Sequence, residues 1–99
     1  RFRIAEMETE YRVNQAFIDQ CIGQYSAAEL DTATASMAKY SATEMQFRVA
    51  DGCLQLFGGY GYTSEYPISR AFTDARVQRI YGGASEIMKE VIARSLLGK

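Results

Sequence analysis

Apolar residues recur at alternating spacings of three and four along the first quarter of the chain. The stripe consists of Ile4, Met7, Tyr11, Asn14, Ile18, Cys21 and Tyr25, and only its Asn is polar. Such a spacing places all of these residues on one face of an α-helix, which turns once every ~3.6 residues. Phe17 and Ile22 widen the apolar face. The pattern predicts one long amphipathic helix over about residues 2–26.

A second long helix is predicted to run to about Leu56. The periodicity resets near Asp31, which is a suitable N-cap because its carboxylate accepts hydrogen bonds from the first free N–H groups of a helix. The apolar stripe of this helix consists of Ala38, Ala42, Met45, Val49, Cys53 and Leu56. Its first half, residues 32–43, is dominated by Ala, Ser and Thr. These small side chains favour the close approach of a neighbouring helix.

The chain changes character after the second helix. Residues 58–66 are rich in Gly and Tyr, and they are predicted to form a loop because glycine is costly in a helix interior. Pro67 suits the first position of a third helix, which is predicted to end near Ile80. The apolar positions of this helix are Ile68, Ala71, Phe72 and Ala75.

A fourth helix follows a break at residues 81–83. Ser85 is predicted to cap its start and Gly98 to end it. Its expected inward residues are Ile87, Met88, Val91, Ile92 and Leu96. No segment alternates in the manner of a β-strand. The sequence therefore predicts an all-α protein, an up-and-down four-helix bundle in which two long helices precede two shorter ones.

Composition narrows the possible functions. The 99 residues include 11 Lys+Arg and 12 Asp+Glu, the formal net charge is -1, and 47% of the residues are hydrophobic. These values argue against a disordered chain and against a nucleic-acid-binding protein, which needs a basic face. No apolar run approaches the ~20 residues of a membrane-spanning helix. The chain opens on Arg1 without a signal peptide, which we interpret as the start of a fragment from a longer protein.

The absence of histidine limits the available chemistry. The sequence contains no His, so Ser-His-Asp and Cys-His catalysis and nearly all zinc sites are excluded within this chain. Acid–base work falls to carboxylates, Lys or Tyr. Cys21 and Cys53 lie in apolar stretches and are predicted to be buried free thiols in a reducing compartment.

Two glycine-rich turns are candidates for ligand binding. Glycines at the end of residues 55–59 let a backbone approach a ligand closely, although a helix C-cap followed by a turn explains the same pattern. Residues 81–86 place free N–H groups at the start of a helix, where anions bind favourably. This second turn is neither a phosphate-binding Walker loop nor a dinucleotide fingerprint, because no strand precedes it and its spacing differs from theirs.

Several other polar and aromatic residues have mainly structural interpretations. Arg70 and Asp74 are four positions apart on the third helix and are expected to form an ion pair on the surface or between subunits. Arg76 and Arg79 share these helical spacings. Four tyrosines, Tyr60, Tyr62, Tyr66 and Tyr81, either anchor a core or interface or form the wall of a ligand site.

The order and spacing of these motifs resemble one enzyme family. The sequence contains, in order, Gln55-Leu56-Phe57-Gly58-Gly59-Tyr60-Gly61-Tyr62, Glu65-Tyr66-Pro67, Arg70, Asp74-Ala75-Arg76 and Ile80-Tyr81-Gly82-Gly83-Ala84-Ser85-Glu86-Ile87-Met88. This succession resembles the C-terminal helical domain of acyl-CoA dehydrogenases across residues 55–94. Residues 1–54 fit the two preceding helices by pattern. The Gly-Gly pair and the Glu-Ile-Met that follows it resemble the long-chain branch.

The resemblance implies a flavoenzyme. Members of the family bind FAD, oxidise fatty acyl-CoA to trans-2-enoyl-CoA and pass electrons to an electron-transfer flavoprotein. They are usually homotetramers, built as dimers of dimers. The implied contacts with the FAD of a neighbouring subunit come from Gln55, Leu56, Phe57, Gly58 and Gly59. Further implied FAD contacts come from Ala84, Ser85 and Glu86, and Tyr81, Gly82 and Gly83 are expected beside the substrate. No metal site is expected.

The chain departs from the family pattern at two positions. Gly82 stands where many members carry the catalytic Glu, and a glycine cannot abstract a proton. In the long-chain and isovaleryl-type branches the base lies on an earlier helix, so we expect it before Arg1. Glu65, Glu86 and Glu90 are carboxylates of this chain, but none is favoured as the base. Ala84 lacks the hydroxyl of the usual threonine, which puts one hydrogen bond to FAD in doubt.

The resemblance also sets the expected boundaries of the chain. Residues 1–99 are expected to be part of the C-terminal helical domain, without the N-terminal helical domain, the β domain and the first helix of the C-terminal domain. Such a fragment is expected to be inactive alone. Two alternatives for the parent stay open, namely a non-catalytic relative that mediates assembly and an acyl-CoA oxidase. The expected compartment is the cytoplasm for a bacterial protein and the mitochondrial matrix for a eukaryotic one, with the cytoplasm preferred.

Overall fold

The computed structural model describes residues 1–98, which form four α-helices and one short 3-10 helix. The elements are α1 (Phe2–Ser26), α2 (Thr32–Phe57), the 3-10 helix (Gly58–Tyr62), α3 (Pro67–Gln78) and α4 (Ser85–Leu97). No β-strand occurs in the described residues. The prediction of an all-α fold with two long and two shorter helices is therefore confirmed. None of these helices has both the length and the apolar character needed to cross a membrane.

All other elements are assembled on α2. α1, α3, α4 and the 3-10 helix each pack against it, whereas α1, α3 and α4 make no close backbone approach to one another within residues 1–98. Phe47 of α2 packs on Phe72 of α3 with ring centroids 5.3 Å apart. Arg48 of α2 forms an ion pair with Glu10 of α1, in which Arg48 Nε lies 2.6 Å from Glu10 Oε1. The position of each loop is consequently set by where its flanking helices meet α2.

The helix ends follow their local sequence signals. Asp31 caps α2 as predicted, since its Oδ1 accepts from Thr34 N at 2.7 Å and its Oδ2 accepts from Thr34 Oγ1 at 3.0 Å. These bonds hold the pKa of Asp31 below its usual value. The bond from the backbone N–H of Thr34 has the larger effect, and the bond from its hydroxyl adds to it. Pro67 begins α3, and Gly98 ends α4 in the left-handed conformation with φ 72°. All three predicted boundary residues are therefore confirmed.

The predicted glycine-rich loop is partly regular. The prediction of an irregular loop is wrong for Gly58–Tyr62, which form the 3-10 helix. A single short turn with i to i+3 bonding is compatible with glycine, because it fixes few residues. The turn is stabilised by its aromatic side chains: the ring of Tyr66 lies 6.0 Å from that of Phe57 and 5.9 Å from that of Tyr60, between centroids. α3 also ends at Gln78, slightly before the predicted end near Ile80.

Several residues of the apolar stripes are exposed. The prediction that they face inward is wrong within this chain for Ile4, Tyr11, Ile22, Tyr25, Leu56, Ala71, Ile87 and Leu96. Tyr25 is 75% exposed and Leu96 is 74% exposed, whereas Met7 is buried. The cause lies in the packing, because α1 and α4 each contact α2 alone, which covers only part of a wide apolar face.

The two thiols differ in environment. Both cysteines are free, and Cys21 is buried while Cys53 is half-buried. Cys53 lines an open groove of about 580 Å³ whose walls come from α1, α2 and α3. The prediction of buried free thiols is therefore confirmed for Cys21 and only partly for Cys53.

Gly61 is a position of the 3-10 helix where a side chain has no room. A Cβ there would lie 2.7 Å from the carbonyl oxygen of Leu54 and 2.9 Å from Cβ of Phe57. Both atoms belong to α2 and are fixed by it. We expect Gly61→Ala to lower the free energy of unfolding by about 1–3 kcal/mol, the usual cost of overpacking. Gly59→Ala is the matched control, since a Cβ at that position meets nothing within 4 Å. Equal stability of the two variants in chemical denaturation would contradict this packing.

Candidate functional site

The turn between α3 and α4 is held against the middle of α2. Lys39 donates a hydrogen bond to the carbonyl oxygen of Gly83. Glu44 Oε1 accepts from Ser85 Oγ at 2.6 Å and from Arg79 Nε at 2.9 Å. The backbone N–H of Ser85 donates to the carbonyl oxygen of Arg79 at 3.2 Å and closes the turn. Two side chains of α2 therefore fix this turn.

The environment of Glu44 keeps its carboxylate ionised. Its side chain is only 17% exposed, and Arg79 places its guanidinium carbon 4.8 Å from the ring centroid of Phe47. Burial by itself raises the pKa of Glu44, but hydrogen bonds from Ser85 and Arg79, with the charges of Arg79 and Arg48, outweigh it. The pKa of Glu44 is therefore below its ordinary value of 4.5. The carboxylate acts as a charged acceptor at neutral pH.

The predicted substrate-side residues form the exposed part of this turn. Gly82 and Gly83 have φ angles of 66° and 110°, in the region that favours glycine. A Cβ on Gly83 would also lie 2.5 Å from Cε of Met88. A Cβ on Gly82 would meet only Cε of Lys39, at 3.9 Å. The hydroxyl of Tyr81, a half-exposed residue, donates to Gln78 Oε1 at 2.7 Å. Residue 83 thus requires glycine, and space is open beside residue 82.

The prediction that Ser85 caps α4 is wrong. Ala84 occupies the N-cap position and makes no side-chain hydrogen bond, while Ser85 is the first helical residue. The Ser85 hydroxyl donates instead to the carboxylate of Glu44, and hydrogen bonds to charged acceptors are the stronger kind. The N–H groups of Glu86 and Ile87 consequently find no acceptor within residues 1–98. The start of α4 presents backbone donors at the positive end of the helix dipole.

The other predicted cofactor segment, residues 55–59, lies at the far end of α2. Gln55, Leu56 and Phe57 are the last residues of the helix, and all five residues are exposed. Gly58 has φ 63°, and a Cβ there would meet nothing within 4 Å. At ~1.5 Å of rise per residue, the helix separates Gln55 from Glu44 by about 16 Å. The structure therefore does not bring residues 55–59 together with the turn between α3 and α4.

Within residues 1–98, Arg70 and Asp74 do not form an ion pair with each other, because Arg70 Nη1 donates at 2.8 Å to the carbonyl oxygen of Ser64, in the segment before α3. A pair between subunits stays a prediction. No ion pair within residues 1–98 includes Asp74. Of the two further arginines at these helical spacings, Arg79 pairs with Glu44 across the helix interface.

Lys39 and Glu44 are the residues that sequence reasoning missed. Both lie in a segment of α2 whose other residues are mostly small or apolar, and both are half-buried. A charged side chain that is buried in such a segment needs a partner. The presence of Lys and Glu among small and apolar residues could therefore have indicated that each makes a polar contact with another element. Within residues 1–98 no group of three or more His, Cys, Asp or Glu is arranged to hold a metal ion.

The ion pair of Glu44 should make stability pH-dependent. The pKa of Glu44 in the folded protein lies below its ordinary value of 4.5, which is taken as its value in the unfolded chain. The stabilisation is therefore fully present at pH values above the pKa of the unfolded chain, and it is lost as the pH falls through the pKa of the folded protein. We expect Glu44→Gln to lower Tm at pH 7 by about 4–8 °C, the shift caused by loss of about 1 kcal/mol in a domain of this size. The difference from the unsubstituted protein should shrink as the pH falls below about 4.

Thermal unfolding followed by circular dichroism at a series of pH values measures this effect. Asp51→Asn is the control, because this exposed carboxylate lies on the same helix and has no ion pair in the described chain. A Tm difference for Glu44→Gln that does not change with pH would show that the charge of Glu44 contributes nothing.

Comparison with known proteins places the chain in a family. The family model for the acyl-CoA dehydrogenase C-terminal domain matches residues 1–97. The chain is 54% identical over 95 residues to the mitochondrial long-chain specific acyl-CoA dehydrogenase of Rattus norvegicus, covering 96% of this chain and 22% of that protein. It is 38% identical over 97 residues to the 3-(aryl)acrylate reductase of Clostridium sporogenes, covering 98% of this chain and 26% of that protein.

Structural comparison agrees with the family model. The crystal structure of an acyl-CoA dehydrogenase from Geobacillus kaustophilus matches with a TM-score of 0.93 and 46% identity, over 96% of this chain and 25% of that chain. The chain thus spans about a quarter of the length of the proteins that it matches. Sequence and fold agree, and the chain belongs to the acyl-CoA dehydrogenase family, in which it corresponds to the C-terminal domain.

Proposed function

We propose that this chain is part of an FAD-dependent acyl-CoA dehydrogenase that oxidises a fatty acyl-CoA to the trans-2-enoyl-CoA. The observation that carries the proposal is the 54% identity over 95 residues with a long-chain specific enzyme. The role of this chain is to supply FAD contacts, part of the substrate wall and the oligomer interface. Since it covers 22% of that relative, we assign the N-terminal helical domain, the β domain and the first helix of the C-terminal domain to residues outside it.

The start of α4 is suited to the anionic part of FAD. The cofactor supplies the electron acceptor of the oxidation and carries a pyrophosphate. Glu86 and Ile87 offer two backbone N–H groups without acceptors in residues 1–98, at the positive end of a helix. Ala84 has no hydroxyl and Ser85 donates its own to Glu44, so these contacts rest on the backbone. The negative charge of Glu86 is countered by Lys89, 3.3 Å away.

Residues 55–59 are suited to a second cofactor contact. Gln55 is exposed and carries both a donor and an acceptor on its side chain. Gly58 has open space where a side chain would be, which permits a close approach of the ligand. Since this segment lies about 16 Å from Glu44 along α2, the two segments contact different groups of FAD. We assign residues 55–59 to the FAD of a neighbouring subunit and residues 84–86 to that of the same subunit.

The turn at residues 81–83 is proposed to lie beside the acyl-CoA. Gly82 carries no base, and the open space beside it leaves room for a carboxylate from another segment. Glu44 does not serve as the base, since its lowered pKa makes its carboxylate a weaker base and Oε1 already accepts hydrogen bonds from Ser85 and Arg79. We assign proton removal to a carboxylate outside this chain.

Exposed apolar surface supports assembly into a homo-oligomer, a dimer of dimers. A groove of about 560 Å³ between α1, α2 and α4 is lined by Val13, Phe17, Met37, Tyr40 and Ile92. A groove with such an apolar lining is the kind of surface that a further protein segment covers in an assembly.

The remaining partners follow from the family. We propose that the parent binds a fatty acyl-CoA and passes electrons to an electron-transfer flavoprotein. The relative from Rattus norvegicus is mitochondrial, and bacterial relatives also match. The compartment would be the mitochondrial matrix in a eukaryote and the cytoplasm in a bacterium, and we favour the cytoplasm.

A non-catalytic assembly module is the second candidate. The observation that favours it is Gly82, which removes the base found at this position in many members of the family. An acyl-CoA oxidase would share the fold and the chemistry but transfer electrons to oxygen. Reduction of the flavin by substrate distinguishes a dehydrogenase from a non-catalytic module. Production of peroxide distinguishes an acyl-CoA oxidase from a dehydrogenase.

The visible absorbance of the full-length protein tests the proposal. We expect a yellow flavin band that bleaches when a long-chain acyl-CoA is added without an electron acceptor. A flavin band that no acyl-CoA bleaches, whatever its chain length, would favour the non-catalytic module. A colourless protein that cannot be reconstituted with FAD would overturn the proposed function.

The isolated chain provides a second test. Because the rest of the cofactor site is assigned elsewhere, we expect residues 1–99 alone to bind FAD weakly or not at all. Fluorescence titration of FAD with the isolated chain measures this affinity. A tight complex with one FAD per chain would contradict the assignment of most of the site to other segments.

A further inference from the structure

We propose that Glu44 is a positioning residue for the turn between α3 and α4. Its carboxylate holds Arg79 and Ser85 at a fixed spacing and so sets the geometry of residues 80–84. The geometric part of this proposal stands on the structure alone. Only the identity of the ligand that benefits, FAD, rests on the proposed function.

The two ends of the turn meet at one atom. Oε1 of Glu44 accepts from both Ser85 Oγ, at 2.6 Å, and Arg79 Nε, at 2.9 Å. Arg79 is the residue after α3 and Ser85 is the first residue of α4. Since both donors converge on the same oxygen, the position of that oxygen fixes the distance between the ends of the turn. The bond from Ser85 N–H to the Arg79 carbonyl is made possible by this proximity.

The turn needs contacts from α2 to fix its conformation, because its own backbone can adopt many conformations. Gly82 and Gly83 are adjacent, and both have positive φ angles, so this segment has many alternative conformations in the absence of tertiary contacts. Within residues 1–98, the one hydrogen bond from α2 to a glycine of the turn is the bond from Lys39 to the Gly83 carbonyl. Glu44 supplies the remaining constraint by holding both flanking residues.

The ion pair between Glu44 and Arg79 is largely shielded from water. The side chains of Glu44 and Arg79 are 17% and 29% exposed, which limits screening by water. The guanidinium of Arg79 also lies over the ring of Phe47 on α2, 4.8 Å from its centroid. This contact orients the guanidinium and covers the ion pair. Arg79 therefore links the end of α3 to two residues of α2 at once.

The effect of Glu44 reaches the ligand through Ser85. Engaging the Ser85 hydroxyl fixes the first residue of α4, and the next two residues carry the N–H groups without acceptors. The direction of these donors depends on the orientation of the first turn of α4. Glu44 touches no proposed ligand itself, so its role is to position the groups that do.

Hydrogen exchange in the full-length protein tests the positioning role. Glu44→Ala should make the hydrogen-bonded amides within residues 80–87, those of Ile80, Tyr81 and Ser85, exchange about tenfold faster, because the turn opens locally. Glu44→Gln keeps the shape and one neutral acceptor, so it should give a smaller increase. It also serves as the variant to measure where Glu44→Ala does not fold.

Glu10→Gln is the matched control. Glu10 forms an ion pair with Arg48 between α1 and α2, and neither residue contacts the turn. This variant loses a charged contact of α2 of the same type but should leave exchange in residues 80–87 unchanged. Comparable acceleration in Glu10→Gln and Glu44→Gln would show a general loss of stability and would overturn the proposal.

A comparison in a variant background shows whether Glu44 acts through its two donors. In a protein that already carries Arg79→Ala and Ser85→Ala, Glu44→Ala should change exchange in residues 80–87 less than about twofold, since its partners are absent. An undiminished tenfold effect in that background would mean that Glu44 acts by another route and would overturn the proposal.

The FAD dissociation constant of the same variants separates this proposal from the proposed function. In a protein that binds FAD, Glu44→Ala should weaken binding about tenfold, and Glu10→Gln should not. A parent protein without affinity for FAD would contradict the proposed function, while the exchange measurements would still decide the positioning role. Normal exchange and normal FAD affinity in Glu44→Ala would overturn the positioning role alone.

Discussion

Packing on a single central helix is the constraint on which the rest of the structure depends. α1, α3 and α4 each rest on α2 and do not approach one another within residues 1–98, so α2 sets every distance between them. Lys39 and Glu44 mark the place along α2 where the turn between α3 and α4 is held. The C-terminal end of α2 carries the other glycine-rich segment. A helix of 26 residues is a rigid spacer, and it determines which loops share a surface.

Periodicity and local signals account for most of the fold. The stripe that begins at Ile4 predicted α1 with the observed bounds, because helical spacing and burial on one side report the same face. Asp31 and Gly98 act on backbone groups within a few residues, so their roles can be read from the local sequence. The exposed residues Ile87 and Leu96 show the limit of this reasoning. An apolar stripe indicates a covered face but does not say which element covers it.

The site was less accessible to sequence reasoning, for a physical reason. Ser85 has the chemistry of an N-cap, but a carboxylate 41 residues earlier in the chain competes successfully for its hydroxyl. Arg79 meets the same carboxylate across 35 residues. Such contacts have no local signature, since they depend on how α4 and α3 dock on α2. The glycine-rich turns were easier to find in the sequence. Their spacing alone fits either a helix end or a ligand contact, and the resemblance to a family indicated the ligand contact.

The distance between the two glycine-rich segments has a genetic consequence. Under the proposed assembly, each FAD is held by residues 84–86 of one subunit and residues 55–59 of another. A subunit damaged in the first segment and a subunit damaged in the second would each be defective as homo-oligomers. In a mixed oligomer, both lesions fall on the same cofactor site at some interfaces, and the reciprocal site is intact. Two inactive alleles of this kind would complement each other when expressed together, whereas two alleles damaged in the same segment would not.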